Sequence, residues 1–350
     1  MKQATLIILA LLTVTVTPRD AFGSLDLAPF EFVQADGVDI QVPGYAAPTY
    51  VDWDNDGRKD LVVGEGGFFR KPRIRVWLND GTPSEPHFSD YFYIPTADGE
   101  DLTYIGTDCT CAALGLYPRL LYWDVDGRKD LLVGQLDGTV MLYLNEGSDS
   151  EPVFGGGTFL QVGEADSKMD IDVGDIASPE VVDWDNDGRR DLIVGANDGK
   201  IHLFINQGTD TAPDFLLETF AGNEESDLTM PADGANPAIG DFDGDGKKDL
   251  LIGDAPGELL FFSNIGTDAE PKFSDYSVLE SGGVPIQLDT ITGASPRARP
   301  FITDWTNDGR PDVLAGAGDG KVYIFQSVPE VTTLSLLTLG VVALLRKRKV

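Results

Sequence analysis

DWDNDGRKDLVVG, residues 52–64, is the stretch that decides the fold. It carries carboxylates at its first, third, fifth and ninth positions, a glycine at its sixth, and an apolar strand that runs into Gly64. The pattern returns as YWDVDGRKD (122–130), DWDNDGRRD (183–191), DFDGDGKKD (241–249) and DWTNDGRPD (304–312). The starts of successive copies lie 70, 61, 58 and 63 residues apart, the size of a supersecondary unit that stacks or circles.

The repetition extends well beyond the loop. A proline stands four residues before each copy: Pro48, Pro118, Pro179, Pro237 and Pro300. An aromatic fills the second position: Trp53, Trp123, Trp184, Phe242 and Trp305. A glycine lies twelve residues after each start: Gly64, Gly134, Gly195, Gly253 and Gly316. Asp-Gly pairs follow at 137–138, 198–199 and 319–320, and these predict type I′ hairpin turns. A third strand comes next, and four copies then share a connector: NDGTPSEPHF (79–88), NEGSDSEPVF (145–154), NQGTDTAPDF (206–215) and NIGTDAEPKF (264–273). A more variable fourth strand region completes the unit. Four antiparallel strands in about 60 residues make a propeller blade. The last unit lacks its fourth strand, and PFEFVQADGVDIQVPG (29–44) is a strand region without a unit. The expected fold is therefore all-β: a five-bladed β-propeller whose last blade is closed by the N-terminal strand. Closure removes exposed edges; the rival is an open stack.

Composition agrees. Forty Gly and 21 Pro in 350 residues suit a protein of many turns, and 18 Phe within 42% hydrophobic residues can build a sizeable core. The formal net charge of −32 argues against a nucleic-acid partner. Much of the acid sits in the five loops, which favours cations. Cys109 and Cys111 stand too close in sequence for an ordinary disulfide; free thiols, a bridge or a metal role remain open.

Alternating carboxylates with a glycine at the sixth position follow the logic of the EF-hand loop, in which the glycine turns the chain so that the next backbone carbonyl faces the metal. That carbonyl belongs to Arg58, Arg189, Lys247 or Arg310. The bidentate Glu at the twelfth position is absent, and the ninth-position Asp is read as completing the cage. Three loops are complete: Asp52, Asp54, Asp56 and Asp60; Asp183, Asp185, Asp187 and Asp191; Asp241, Asp243, Asp245 and Asp249. The fifth, with Thr306 at its third position, keeps Asp304, Asp308 and Asp312 and is expected to bind more weakly. The second has Tyr122 first, leaving Asp124, Asp126 and Asp130 as a weak or empty site. Many carboxylates in a flexible loop favour Ca2+ over Mg2+, so three to four structural calcium ions are expected. The alternative is that these Asp residues only form Asx turns.

The loops and their spacing resemble the FG-GAP/VCBS repeats of integrin α-subunits and of many secreted bacterial proteins, over roughly residues 29–326. The resemblance implies a propeller whose calcium loops join the first two strands of each blade, on the face opposite most ligand sites. It implies no particular function.

Both termini read as processing signals. Residues 1–23 resemble a secretory signal peptide, with Lys2 before an apolar core from Ala4 to Val16. The C-terminus has Val328-Pro329-Glu330, an apolar run from Leu334 to Leu345, and the basic group Arg346 to Lys349. It resembles a PEP-CTERM sorting signal, which implies processing by an exosortase-type enzyme and membrane attachment before that step. Val331 departs from the motif's second proline; a simple membrane anchor is the alternative. The propeller is then residues 24–327, with the sorting segment at 328–350, outside the cytoplasm of a Gram-negative-type bacterium.

Blade 1 breaks the repeat with a longer loop between strands 2 and 3. It carries Phe68, Phe69, Arg70, Lys71 and Arg73, which are candidates for a ligand face. The two Phe residues fit a gap in their own blade equally well. Arg297 and Arg299 line the same face or pair with neighbouring Asp. The expected function is a non-catalytic binding or adhesion module for an extracellular glycan or protein. A secreted carbohydrate-active enzyme and a structural matrix component are the alternatives. Against an enzyme, His87 and His202 are the only histidines, and neither has a visible triad.

Overall fold

A computed structural model describes residues 25–67, 71–104, 114–124, 126–223, 226–289 and 295–328. The expected leader (1–23), Phe68, Phe69, Arg70, Cys109, Cys111 and the sorting segment from Pro329 onward lie outside these residues. No helix among the described residues is long and apolar enough to cross a membrane.

The chain forms five blades of antiparallel strands. The innermost strands are Ala47–Val51, Tyr117–Leu121, Ser178–Val182, Asn236–Gly240 and Arg299–Thr303. Each touches the next, and the fifth touches the first, so the ring is closed. The second strands run from the ninth-position Asp to the repeated glycine: Asp60–Gly64, Asp130–Gly134, Asp191–Gly195, Asp249–Gly253 and Asp312–Gly316. They are buried throughout, because blades cover both of their faces.

The N-terminus closes blade 5, with Glu31 opposite Ile324 and Phe32 opposite Tyr323. Only Glu31–Phe32 serves as the missing strand, however. Residues 34–39 turn back at Asp36 and Gly37, both with positive φ, into a hairpin in which Ala35 pairs with Phe88 of blade 1. The fourth-strand region thus does two jobs, completing its own blade and stitching it to the next. The same parallel stitch joins Thr96 to Phe154 and Val162 to Phe215. Leu27, ahead of the closing strand, makes it with Ser281 of blade 4.

Three expected type I′ turns take another form. Gly138, Gly199 and Gly320 have positive φ, but the preceding Asp residues do not. The strands are joined there by three residues with glycine last, a type I turn with a bulge. In blade 2 the Asp137 carboxylate accepts the Thr139 N–H, which holds the turn.

Five hydrophobic cores lie between blades rather than within them. Trp53 packs against Leu131, Val133 and Phe154 of blade 2, and Trp305 closes the circle on Leu61, Val63 and Phe88 of blade 1. Each second-position aromatic reaches the next blade in this way, and burying one contributes about 2–3 kcal/mol. The glycines twelve residues after each loop start let the blades approach. A Cβ on Gly64 would lie 1.9 Å from Leu116 O, and one on Gly316 would lie 2.1 Å from Ala46 O.

Candidate metal centres

The five acidic loops join first and second strands, so all five lie on one face of the disc. Their turn is built from the chain's own carboxylates. In loop 1, Asp52 accepts the N–H groups of Asp56 (3.1 Å) and Gly57 (2.9 Å), and Asp56 accepts that of Arg58 (2.8 Å). Loops 3, 4 and 5 repeat the first-position bond to the sixth-position glycine. The fourth position is left-handed: Asn55, Asn186, Gly244 and Asn307 all have φ between 54° and 77°. Asn and Gly tolerate that region best.

The ninth-position Asp has a role that sequence reasoning missed. Asp60 is buried, and its two oxygens accept the N–H groups of Trp53 (2.7 Å) and Asn79 (2.7 Å). It clamps the start of the loop to the end of the third strand. All five blades keep the clamp. Asp130 holds Trp123 and Asn145, Asp191 holds Trp184 and Asn206, Asp249 holds Phe242 and Asn264, and Asp312 holds Trp305 and Ser327. The visible signal was that this Asp survives in the two degenerate loops. Burial, ahead of the neighbouring carboxylates, pushes Asp60 up to about 7 and Asp249 up to about 6; Asp130, Asp191 and Asp312 are also raised by burial.

Three loops bring carboxylates within metal-sharing distance. One oxygen from each of Asp52, Asp54 and Asp60 lies within 4.8 Å of the others; so do those of Asp183, Asp185 and Asp191, and of Asp241, Asp243 and Asp245. These are the three loops with a complete carboxylate set. Loops 2 and 5 form no such group among the described residues. Asp54 Oδ1 is buried with no hydrogen-bond partner, and burial raises the Asp54 carboxyl above its ordinary range. An unpaired, desolvated carboxylate oxygen facing two more carboxylates fits a hard cation such as Ca2+.

The membership differs in detail from the sequence reading. Asp56 and Asp187 stand outside their clusters and pair with the Arg58 and Arg189 side chains, whereas in loop 4 Asp245 joins the cluster and Asp249 does not. The seventh-position side chains also reach the third strand's end: Arg58 Nε donates to Asn79 O, Arg189 Nε to Asn206 O (2.8 Å), and Lys247 Nζ to Asn264 O (2.7 Å). Arg310 pairs with Asp308 in the fifth loop. The eighth-position cation was not singled out from the sequence, and it bridges blades. Lys59 Nζ donates to Thr303 Oγ1 of blade 5 (3.0 Å), Arg190 to Trp123 O of blade 2 (3.0 Å), and Lys248 to Asn186 Oδ1 of blade 3 (2.7 Å).

Among the described ligand-face candidates, burial corrects one, Arg299. Arg73 is committed inside blade 1: it stacks 3.5 Å from the Tyr93 ring, donates to Asp101 (2.9 Å) and, with Arg75, grips the buried Glu65. Arg297 donates to Asn197 Oδ1 (3.0 Å). Arg299 is not on a surface, being 3% exposed at the centre of the ring. Both histidines are paired with carboxylates. Ser89 donates to Asp80 rather than to the His87 imidazole, and His202 is buried against Glu218 and Asp198.

Comparison with known proteins agrees with the repeat. Residues 123–194 and 183–252 match the model of an FG-GAP-like repeat. No curated protein matches the chain. Among solved structures, a hypothetical protein from Leishmania major is 13% identical, with 87% of this chain and 92% of that one covered at a TM-score of 0.45. A GH43_1 enzyme from Xanthomonas citri is 10% identical over 84% of this chain and 92% of that one, also at 0.45. A glucose dehydrogenase is 14% identical over 82% and 84%, at 0.38.

Proposed function

We propose that the chain is an exported, calcium-stabilised propeller that works as a non-catalytic binding module for a glycan or protein outside the cell. The observation that carries the calcium reading is Asp54 Oδ1, buried and unpartnered beside Asp52 and Asp60. Asp52, Asp54 and Asp60, Asp183, Asp185 and Asp191, and Asp241, Asp243 and Asp245 would hold the ions. A bound cation offsets the charge gathered in each loop and ties the first strand to the second. Loops 2 and 5, which keep their hydrogen-bonded turn without such a cluster, support a structural rather than catalytic role for the acidic face.

The non-catalytic reading rests on how the reactive groups are used. The loop carboxylates accept backbone N–H groups, and each histidine is engaged by carboxylates. Export rests on the N-terminal leader, the sorting segment and the repeat type. Calorimetric titration of the EDTA-treated protein with calcium tests the first claim, with three tight sites expected; no heat above dilution would overturn it. A glycan array followed by product analysis on each hit tests the second. Release of shorter sugars would make the protein a carbohydrate-active enzyme instead.

A further inference from the structure

At the face opposite the acidic loops, each blade enters its innermost strand through a left-handed residue: Tyr45, Gly115, Ile176, Gly234 and Arg297, with φ of 50°, 85°, 61°, 83° and 50°. For a β-branched residue such as Ile176 this is a true outlier, held only where the surroundings over-determine it. Two residues on, Ala47, Tyr117, Ser178, Asn236 and Arg299 occupy equivalent positions on the innermost strands. Contacts between blades 2 and 5, which are not neighbours, show that side chains from this end fill the axis. Arg299 lies 4.4 Å from the Tyr117 ring, and Arg119 lies 5.4 Å from the Phe301 ring.

Arg299 donates through Nη1 to Tyr45 O and through Nη2 to Leu114 O; its guanidinium approaches the Tyr117 hydroxyl, but its Nε is buried with no hydrogen bond of good geometry. No ion pair is formed by Arg299 among the described residues; Glu180, the carboxylate on the axial strands, is held by Arg119 at 2.7 Å. Arg297, two residues before it, adds a charge of the same sign that opposes the Arg299 charge. Two more atoms of the same axial layer are buried and unpartnered, the Tyr117 hydroxyl and Asn236 Oδ1. The Asn236 amide is oriented by donating to Gly253 O (3.1 Å) and Ala298 O (3.0 Å), so its free atom is an acceptor. Ala47 and Ser178 contribute only small side chains to this layer. A desolvated guanidinium without a counter-charge is costly, and a cluster of buried unsatisfied groups marks the place of an ion or water.

We propose that the propeller axis holds a small monovalent anion, a halide or a compact carboxylate, against Arg299 Nε, with the Tyr117 hydroxyl as a second donor. A co-bound water satisfies Asn236 Oδ1. The site is independent of the acidic loops and of the binding function proposed above. It places a cation-anion pair at the centre of a protein whose net charge is −32.

The test uses the full chain, with bromide as the probe. Thermal unfolding is followed as sodium bromide replaces sodium sulfate at constant ionic strength, and crystals soaked in bromide are examined for anomalous scattering. A saturable rise of a few degrees in Tm and an anomalous peak within hydrogen-bond distance of Arg299 Nε are expected. Arg299→Met should abolish the rise, while Arg297→Met should retain it. Acetate in place of bromide separates the two sources: a rise with acetate that also displaces the peak assigns the site to carboxylates, and a rise with bromide alone assigns it to halides. Absence of the peak in the wild-type protein overturns the proposal, even if Arg299→Met fails to fold. A rise that persists in Arg299→Met overturns it as well.

Discussion

Loop 3 (183–191) and loop 2 (122–130) share a backbone plan and differ in what they can hold. Both clamp the ninth-position Asp to the second-position Trp and to the connector Asn. Loop 3 then gathers Asp183, Asp185 and Asp191. Loop 2 has Tyr122 where Asp183 stands, and its hydroxyl donates to Asp149 (3.0 Å), which also accepts the Lys129 N–H (2.9 Å) and pairs with Lys129 Nζ (2.8 Å). The pair separates two roles that the motif superimposes. The clamp makes the blade; the remaining carboxylates make the metal site. A loop can therefore lose its site and keep its blade.

Breaking the clamp should have the largest effect, and an equal one in both loops. Asp130→Ala and Asp191→Ala each strand two buried N–H donors, at about 1–3 kcal/mol apiece. In EDTA, urea unfolding should show both variants destabilised by about 3 kcal/mol. If both variants proved harmless in EDTA and Asp191→Ala cost stability only with calcium present, the ninth Asp would act only through metal.

Calcium should then tell the loops apart. A ligand that binds only the folded state stabilises it by about 2.7 kcal/mol at a hundred times its Kd. Asp185→Asn should remove one site's share of the calcium-induced rise in Tm, whereas Asp124→Asn should leave the rise intact. Equal losses would mean that loop 2 binds after all.

The pH dependence sharpens the same contrast more gently. Asp60 and Asp249 have folded-state values raised by burial to about 7 and about 6, above an ordinary 3.8. Protonation therefore favours the folded state, and their contribution is fully present below pH 3.8 and lost as pH rises through 6 to 7. In EDTA, Asp60→Asn should flatten the fall in stability between about pH 4 and pH 7. Calcium, which selects the ionised form, should flatten it in the wild type. A slope unchanged by the substitution would assign the titration to other groups.

Much of this architecture was legible because it repeats. Five copies exposed the proline, the aromatic and the glycine, and the glycine's reason is now a backbone carbonyl about 2 Å from where its Cβ would be. The closing strand was legible as a strand region without a unit. The ninth Asp reads from the sequence only as a ligand; its clamp stays hidden because its two backbone partners lie 7 and 19 residues away. The eighth-position cation was hidden for a related reason: Lys59 meets Thr303, 244 residues away. Arg299 reads from the sequence as a surface cation or as the partner of a neighbouring Asp, because nothing local distinguishes a strand at the axis, covered on both faces, from one at the rim.

The smallest effect on stability should come from rebuilding the lost site. Tyr122→Asp restores the first-position carboxylate in a loop that already has Asp124, Asp126, Gly127 and the Asp130 clamp. It removes one exposed hydrogen bond, to Asp149, so the cost in EDTA should be below about 1 kcal/mol. The introduced carboxylate would face Asp126 and Gly127 as Asp183 faces Asp187 and Gly188. Calorimetric titration should then count one more calcium than in the wild-type protein. The obstacle is Arg128, whose guanidinium already pairs with Asp126. Arg189 pairs with Asp187 in the same way without preventing the loop 3 carboxylates from gathering. If the count does not rise, the first-position carboxylate is not what separates the two loops, and the difference must lie in how loop 2 is held by Asp149 and Lys129.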